Sequence, residues 1–343
     1  MKMFNYKELS KIKYDLEIID LLCAIHEHKG RQQLYLNQES VVLDNLINNT
    51  KIQSTESSNK IEGIITTKSR IKQLISNVNP NNRDEEEISG YINVLDLIND
   101  NYEYINITPS YILQLHKELY KYSSKDIGGK YKTASNVIME INNNVESIRF
   151  KPLDPSITPD AIKDICDNYN NSIDSIDPLL LIPIFIHDFL CIHPFSDGNG
   201  RMSRLLTTLL LYKSGYLIGK YISLESNIEQ TKESYYNTLH ISGINWHENN
   251  NDPISFVKYL LRIILCSYKE FEDKVNYNKP NSNTYEQVEK VVNNIIGKFT
   301  KNDILENVPN AKKASVENAI KKMVDNELII KHGSGKNTFY SRK

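Results

Sequence analysis

The residues best suited to chemistry lie in one twelve-residue stretch, 193–204, which reads His-Pro-Phe-Ser-Asp-Gly-Asn-Gly-Arg-Met-Ser-Arg. His193 is a base that can take a proton from an incoming nucleophile. Asp197 offers a hard oxygen ligand of the kind that binds Mg²⁺ together with substrate phosphates. The Gly-Asn-Gly turn that follows exposes consecutive backbone N–H groups, and such groups bind oxyanions. These residue types indicate phosphoryl or nucleotidyl transfer.

A helix is predicted to begin at the end of this turn, near Gly200, because residues 205–212 form a strongly apolar run. On that helix Arg201 and Arg204 are three residues apart and share a face. The first turn of a helix carries unsatisfied N–H groups and the positive end of the dipole, which both favour bound phosphate. One loop and one helical turn are therefore expected to hold the base, the metal ligand and the anion site together.

This stretch resembles the signature of the Fic (Fic/Doc) family, His-Pro-Phe-x-Asp/Glu-Gly-Asn-Gly-Arg-x-x-Arg, at all nine specified positions. Members of that family typically transfer AMP from ATP to a hydroxyl side chain of a protein. The resemblance therefore implies a protein adenylyltransferase in which His193 activates the acceptor hydroxyl and Asp197 holds Mg²⁺ on the phosphates. An ordinary helix-capping loop with a core histidine is the alternative for any one of these residues, but it does not explain the whole set.

The same resemblance assigns the remaining motif residues to the nucleotide. Gly198, Asn199 and Gly200 are expected to line the anion hole, with the side-chain amide of Asn199 as an added donor. Arg201 and Arg204 are expected to hold the outer phosphates of ATP, because a guanidinium matches phosphate oxygens with several donors at once.

A second segment, Ser-Asn-Lys-Ile-Glu-Gly at 58–63, resembles the inhibitory motif Ser/Thr-x-x-x-Glu-Gly/Asn of the same family. Ser58 and Glu62 project from one face of a helix, and Gly63 follows them. The resemblance implies that Glu62 pairs with Arg204, so that this arginine cannot also hold the γ-phosphate. Glu62 as one more solvated charge on a surface helix is the alternative interpretation.

Two further resemblances concern the binding of the target protein and of the adenine ring of ATP. Residues 129–155 resemble the family's flap hairpin, with a strand over 137–141 and a turn over 142–144, although Lys132 stands where the family commonly has arginine. An extended target peptide can pair with such a strand edge. Tyr236, rather than Tyr235, matches the aromatic residue that relatives place against adenine; plain packing is the alternative role.

Composition bounds the class of protein. The 343 residues predict two or three domains, and a net charge of −2 argues against a general electrostatic nucleic-acid binder. Four scattered cysteines favour a reducing compartment and no zinc site. The first residues lack a signal peptide, and the longest apolar run, 179–186, is too short to span a bilayer. A cytoplasmic protein without membrane contact is expected.

The periodicity of apolar residues predicts a mainly α fold, in which a helical core carries a small β-hairpin flap. The acidic run 84–87 is interpreted as the solvated start of a helix. Predicted helices cover 7–28, 31–50, 109–121, 160–172, 178–193, 200–214 and 254–272. The predicted domains are an N-terminal helical region at 1–105 with an inhibitory helix near 54–66, a catalytic core at 106–272, a linker at 273–284 and a tail at 285–343.

The tail resembles a winged helix-turn-helix domain, because three predicted helices precede two short strands. Residues 285–343 contain 11 Lys/Arg and 7 Asp/Glu. The predicted recognition helix carries Lys312, Lys313, Lys321 and Lys322. Contact with DNA and docking of a protein both remain open, since the excess positive charge is modest.

The sequence thus predicts an ATP- and Mg²⁺-dependent protein adenylyltransferase that modifies Tyr, Ser or Thr hydroxyls and is inhibited by its own Glu62. The resemblance also implies removal of AMP as a second activity. A related transferase with a phosphate or phosphocholine donor is one alternative, and a nucleotide-sensing DNA-binding regulator is another. Candidate partners are a protein with an acceptor hydroxyl, including this protein itself, and a second copy of the chain in a homodimer.

Overall fold

The computed structural model describes residues 2–11, 13–36, 40–142, 145–277, 284–295, 297–308, 311–335 and 338–342. Helices dominate these residues, and the predicted mainly α fold with a small two-stranded hairpin is confirmed. The α-helices are, in chain order, α1 Leu16–Leu36, α2 Ser40–Ile61, α3 Lys68–Ile75, α4 Arg83–Asn101, α5 Pro109–Leu119, α6 Thr158–Asn170, α7 Pro178–Ile192, α8 Asn199–Lys213, α9 Leu224–Gln230, α10 Lys232–Gly243, α11 Ile254–Tyr277, α12 Thr284–Asn294, α13 Lys301–Asn307 and α14 Lys313–Asp325. Short 3₁₀ helices occupy Tyr6–Lys11 and Leu217–Lys220.

The strands form two small antiparallel sheets. β1 Ile138–Asn142 pairs with β2 Val145–Phe150 in a hairpin with an irregularity between Ile138 and Met139. The predicted turn at 142–144 lies partly outside the described residues, which omit 143 and 144. The second sheet has the order β3-β5-β4, with β3 Lys298–Phe299, β4 Ile329–His332 and β5 Phe339–Arg342.

The chain divides into two compact units, one of residues 1–29 and 47–268 and one of residues 30–46 and 269–343. In the first unit α7 packs on α6 and α8, and α4 packs on α5 and α8. Almost every side chain of α7 and α8 is buried, as the apolar composition of α7 requires. The loop between these two helices is therefore flanked by two buried helices.

Capping residues explain where the helices around this loop begin. Thr108 caps α5 by accepting the N–H of Tyr111, and Pro109 occupies the first turn. Asp177 caps α7 by accepting the N–H of Leu179. Asn82 caps α4 by accepting the N–H of Glu85.

Two predictions about helices were wrong. The break expected near residues 29 and 30 lies inside α1, which continues to Leu36, because a single glycine does not end a helix whose flanking residues keep their pattern. The acidic run does begin α4, but it is not solvated throughout, since Glu85 and Glu87 are only 6% and 4% exposed. Glu85 pairs with Arg70, and Glu87 contacts the motif helix α8.

The second unit contains the predicted tail with its own buried cluster, formed by α12, α13, α14, Phe299 of β3 and Ile329 of β4. α11 continues into the predicted linker as far as Tyr277, and residues 278–283 of that linker lie outside the described residues. The winged-helix assignment and the domain boundaries stay predictions. Among the described residues, none of the helices is long and apolar enough to cross a membrane.

Candidate functional site

His193 is the C-cap residue of α7. Its backbone is in the left-handed region, with φ +51°, and its N–H donates to the Phe189 carbonyl. Its ring Nδ1 lies 3.3 Å from the Leu190 carbonyl oxygen. A proton on Nδ1 satisfies that carbonyl, which leaves Nε2 as the unprotonated nitrogen. The ring lines a cleft, so Nε2 has the form that a general base needs.

The surroundings of His193 keep it neutral. Burial, followed by the positive charge of Lys132, lowers the pKa of His193 to about 4. Lys132 is itself only 3% exposed, and its Nζ donates to the Ile192 carbonyl at 3.0 Å and to Asn136 Oδ1 at 3.1 Å. Burial lowers the pKa of Lys132 to about 8. Lysine at the position where the family commonly has arginine therefore caps the end of α7 beside the candidate base.

The motif loop is held by side chains that point inward. The Asn199 amide closes the loop, since its Oδ1 accepts the Phe195 N–H at 2.9 Å and its Nδ2 donates to the Phe195 carbonyl at 2.8 Å. His116 stacks on the Phe195 ring at 3.6 Å, and its Nε2 lies 3.1 Å from the Asp197 carbonyl. The side chain of Asn199 is thus engaged by the loop itself, in contrast to the expected free donor. His116, on α5, thus supports the loop from outside the motif.

Both motif glycines are required by the local geometry. Gly198 has φ +83°, and a Cβ added there would lie 3.0 Å from the ring of Tyr120. Gly200 lies in the first turn of α8, and its Cβ would lie 2.2 Å from Glu62 Oε1. The backbone at the start of α8 is therefore open to close approach, and in this structure the Glu62 carboxylate makes that approach. A carboxylate is stabilised there by the same N–H groups and dipole that favour a phosphate.

Glu62 and Ser58 both bind Arg204, as the inhibitory motif predicts. Arg204 donates from Nε to Ser58 Oγ at 2.8 Å, and from Nη2 to the Ser58 carbonyl at 2.9 Å and to Glu62 Oε1 at 2.8 Å. Burial alone would lower the pKa of Arg204, but the Glu62 carboxylate raises it above its ordinary value. Gly63, with φ +83°, turns the chain directly after α2, and Lys232 Nζ donates to the Ile61 carbonyl at 2.6 Å.

Arg201 is held by a second carboxylate, which the sequence analysis missed. Its Nη2 lies 2.7 Å from Glu87 Oε2 and donates to the Tyr120 hydroxyl at 2.9 Å. Arg201 Nε and Nη1 are buried without a hydrogen-bond partner among the described residues, as is Arg204 Nη1. Orphaned guanidinium donors are costly unless an anion satisfies them. A signal for Glu87 did exist, because Glu87, Tyr91, Val94 and Ile98 have the spacing of one buried helix face.

Asp197 offers an ionised carboxylate beside the start of α8. Burial would raise its pKa, but the hydrogen bond and charge of Lys125 lower it below the ordinary value. Oδ1 accepts the Gly198 N–H at 2.8 Å, and Oδ2 lies 2.8 Å from Lys125 Nζ. Over the described residues there is no cluster of three or more His, Cys, Asp or Glu side chains that could hold a metal ion. A cation at Asp197 would therefore depend on phosphate and water for its other ligands.

The cleft beside His193 has a volume of about 220 Å³ and lies between the motif helix, α10 and the hairpin. Tyr236 on α10 lines it and is half-buried, whereas Tyr235 is buried against Phe256 and Tyr259. Arg149 of β2 donates to the Tyr236 carbonyl at 2.6 Å, so the hairpin is fastened to α10. The lining residues are Glu62, Ile138, Arg149, Phe150, His187, Leu190, Cys191, His193, Gly200, Arg204, Tyr235, Tyr236, Leu239 and His240.

The site thus brings together residues predicted from three separate segments of sequence. Glu62, His193, Gly200, Arg204 and Tyr236 share one cleft. Six of the predicted site residues do not line this cleft: Ser58, Gly63, Asp197, Gly198, Asn199 and Arg201.

Part of the chain matches a known protein family. Residues 106–211 match the model of the Fic/DOC family. Protein adenylyltransferase fic-1 of Caenorhabditis elegans is 29% identical over 161 residues, which are 47% of this chain and 28% of that relative. A probable protein adenylyltransferase of Aquifex aeolicus is 34% identical over 86 residues, which are 25% of this chain and 27% of the relative. The matches thus span little more than a quarter of either relative.

Solved structures share the fold. The crystal structure of a Fic family protein from Desulfovibrio desulfuricans G20 superposes with a TM-score of 0.64 at 20% identity, over 97% of each chain. A structure of Fic-1 from C. elegans superposes with a TM-score of 0.60 at 22% identity, over 76% of this chain and 73% of that one. Residues 106–211, which include the motif residues up to Arg204, therefore resemble the Fic/DOC family, and the solved structures show that the fold is shared.

Proposed function

We propose that this chain is a protein adenylyltransferase that transfers AMP from ATP to a Tyr, Ser or Thr hydroxyl of a target protein. The observation that carries the proposal is that His193 and Gly200, at the start of α8, line one cleft, since a base and an anion site must face the same reacting group. The names of the adenylyltransferase relatives support ATP as the donor.

In the proposed reaction the acceptor hydroxyl attacks the α-phosphorus of ATP in line with the bond to the β-phosphate. His193 Nε2 takes the hydroxyl proton as the new O–P bond forms, and pyrophosphate leaves with the electrons of the broken bond. The N–H groups at the start of α8 and the orphaned donors of Arg201 stabilise the charge that develops on the phosphates. We assign Asn199 the task of fixing the loop, in accordance with its contacts to Phe195.

Asp197 is the proposed ligand of Mg²⁺. One ionised carboxylate beside a phosphate-binding helix start fits an ion that binds through one or two carboxylates, phosphate oxygens and water. Mg²⁺ would neutralise phosphate charge there. Tyr236 is proposed to pack against the adenine ring of ATP in the cleft. The edge of the hairpin is proposed to pair with an extended segment of the target protein.

Glu62 is proposed to hold the enzyme in an inhibited state. Its carboxylate occupies both the Arg204 donor and the space against Gly200, where a phosphate would otherwise bind. ATP that enters the cleft with Glu62 in place would lose these contacts, and its α-phosphorus would not be aligned with the hydroxyl. Removal of AMP by water in place of the hydroxyl is proposed as a second activity of the same groups.

Labelled nucleotide tests the donor. Full-length Glu62→Gly protein is incubated with target extract and either α-labelled or γ-labelled ATP, and protein-bound label is measured. AMP transfer predicts label from α-labelled ATP alone. Label from γ-labelled ATP alone would assign a phosphate donor, and no label from either would point to a donor such as a phosphocholine carrier or to a nucleotide sensor. The His193→Ala form of the same variant is the control for unrelated kinases.

For the tail we propose a winged-helix module that docks on DNA or on a protein. The order of three helices and a three-stranded sheet supports it, and Lys312, Lys313, Lys321 and Lys322 are exposed along or beside α14. Lys336 of the predicted wing lies outside the described residues. A homodimer and a cytoplasmic location also stay proposals.

A further inference from the structure

Lys125 occupies a position that neither the motif nor the sequence analysis assigns. It follows α5 in a turn where Ser123 Oγ accepts its backbone N–H at 3.2 Å. Its side chain is 29% exposed, and Nζ lies 2.8 Å from Asp197 Oδ2. Because Oδ1 of Asp197 accepts the Gly198 N–H, Lys125 covers the one carboxylate oxygen that has no backbone partner among the described residues.

Glu87 holds Lys125 in place from the other side. Its Oε1 lies 3.6 Å from Lys125 Nζ and 3.1 Å from Arg83 Nε, while its Oε2 binds Arg201. This carboxylate is 4% exposed and faces three cations, Lys125 among them. The Lys125 ammonium can therefore move from Asp197 without leaving a lone charge in the core.

From this geometry we infer that Lys125 is a tethered cation that competes with the divalent metal for Asp197. Lys125 thereby sets the Mg²⁺ concentration that nucleotide binding requires. The inference rests on the proposed function, in which Asp197 binds Mg²⁺. A unit positive charge 2.8 Å from Oδ2 repels a divalent ion at the same oxygen, and in this partly buried place the repulsion is weakly screened. Lys125 must swing toward Glu87 before metal and nucleotide bind together.

Calorimetry of nucleotide binding tests the inference without catalysis. A non-hydrolysable ATP analogue is titrated into full-length Glu62→Gly protein at a series of Mg²⁺ concentrations, with and without Lys125→Met. Methionine keeps the length of the side chain and removes the charge. We expect the Mg²⁺ concentration for half-maximal nucleotide binding to fall about tenfold in the Lys125→Met form, since one repulsive charge is removed.

Matched variants separate this inference from the proposed function. Lys130→Met removes the partner of a nearby exposed ion pair with Asp126, and it should leave the Mg²⁺ requirement unchanged. Lys125→Arg keeps the charge and should also leave it unchanged. An unchanged or higher requirement in Lys125→Met overturns the inference, and so does weaker nucleotide binding at every Mg²⁺ concentration, which would make Lys125 a phosphate ligand. Asp197→Asn should abolish the Mg²⁺ dependence; if it does not, the proposed metal site fails instead.

Discussion

At the scale of single residues, Glu62 makes two contacts that matter for nucleotide binding. One is the ion pair with Arg204, and the other is the close approach of Oε1 to Gly200 at the start of α8. Both places favour an anion, because a guanidinium and a helix N-terminus carry positive charge. A phosphate and the Glu62 carboxylate therefore compete for the same donors.

Removing this carboxylate should release the enzyme. We expect Glu62→Gly to raise AMP transfer about 10- to 100-fold, the range of a coupling of about 1–3 kcal/mol. The measurement is incorporation of α-labelled ATP into target protein. Glu56→Gly, on the same helix and paired only weakly with Lys68 at 3.9 Å, is the control for loss of a helical glutamate. Equal rates in wild type and Glu62→Gly would rule out autoinhibition.

The acidity of His193 leads to a second prediction. Because its pKa is about 4 rather than 6.5, the ring stays unprotonated as the pH falls through the range in which an ordinary histidine is charged. Transfer by the Glu62→Gly form should change less than about twofold between roughly pH 8 and pH 6, whereas His193→Ala should lose a factor of about 10² or more. A rate that falls with a midpoint near 6.5 would contradict this environment for His193.

Lys132 offers a check on the cause of that shift. Burial is the larger influence on the pKa of His193 and the charge of Lys132 the second, so Lys132→Met should move the acid limb of the pH–rate profile to higher pH. The limb should remain below the ordinary histidine value, because burial persists. A shift to lower pH would show that Lys132 does not act on His193 through its charge.

At the scale of elements, the sequence predicted the segments that carry a local signal. α7 and α8 were expected within one or two residues of their observed ends, because Asp177, Pro178 and the glycine turn mark them. Strand β3 and the helices α3, α9 and α10 were not predicted, since they are short or lack a clear apolar period. Short elements are specified mainly by tertiary contacts that a single sequence does not display.

The candidate site divides in the same way. The motif residues lie within twelve consecutive positions, and Glu62 lies within a six-residue motif. Short sequence patterns therefore find both. Glu87, Lys125 and His116 reach the motif loop from three other places in the chain, and no short pattern links them to it. Glu87 was misread as solvated because an acidic first turn is the common arrangement of a helix exposed at its start.

Two glycines, Gly198 and Gly30, allow a prediction about stability. Gly198→Ala should lower the free energy of unfolding by about 1–2 kcal/mol or more, because a side chain at φ +83° is strained and its Cβ would crowd Tyr120. Gly30→Ala inside α1 should raise it by about 0.5–1 kcal/mol, since no atom lies within 4 Å of that Cβ. Urea unfolding of both variants measures the difference. Equal effects of the two substitutions would contradict the loop geometry.

At the scale of the whole molecule, the proposed nucleotide site and the proposed docking helix belong to different compact units. The cleft and its motif belong to the unit of residues 1–29 and 47–268, and α14 with its exposed lysines belongs to the other. The fold shared with structures at 20–22% identity supports the architecture, but fold alone does not name a substrate.

The lysines of α14 should be separable from catalysis. Replacing Lys313, Lys321 and Lys322 with glutamine in the Glu62→Gly form should leave AMP transfer within about twofold, because surface substitutions away from a site have small effects. If α14 contacts DNA, the full-length protein retards a DNA duplex at low salt and the triple variant does not. If the full-length protein with its own lysines does not retard the duplex, protein docking is the remaining role for the tail. A large loss of AMP transfer in the triple variant would show that the tail takes part in the reaction.

The most direct measurement is a crystal structure of full-length Glu62→Gly protein with a non-hydrolysable ATP analogue and Mg²⁺. We expect phosphates on the N–H groups from Gly198 to Arg201 and on the side chains of Arg201 and Arg204, with His193 Nε2 facing the α-phosphate across open space. Nucleotide bound elsewhere, or phosphates that leave the start of α8 bare, would contradict this expectation.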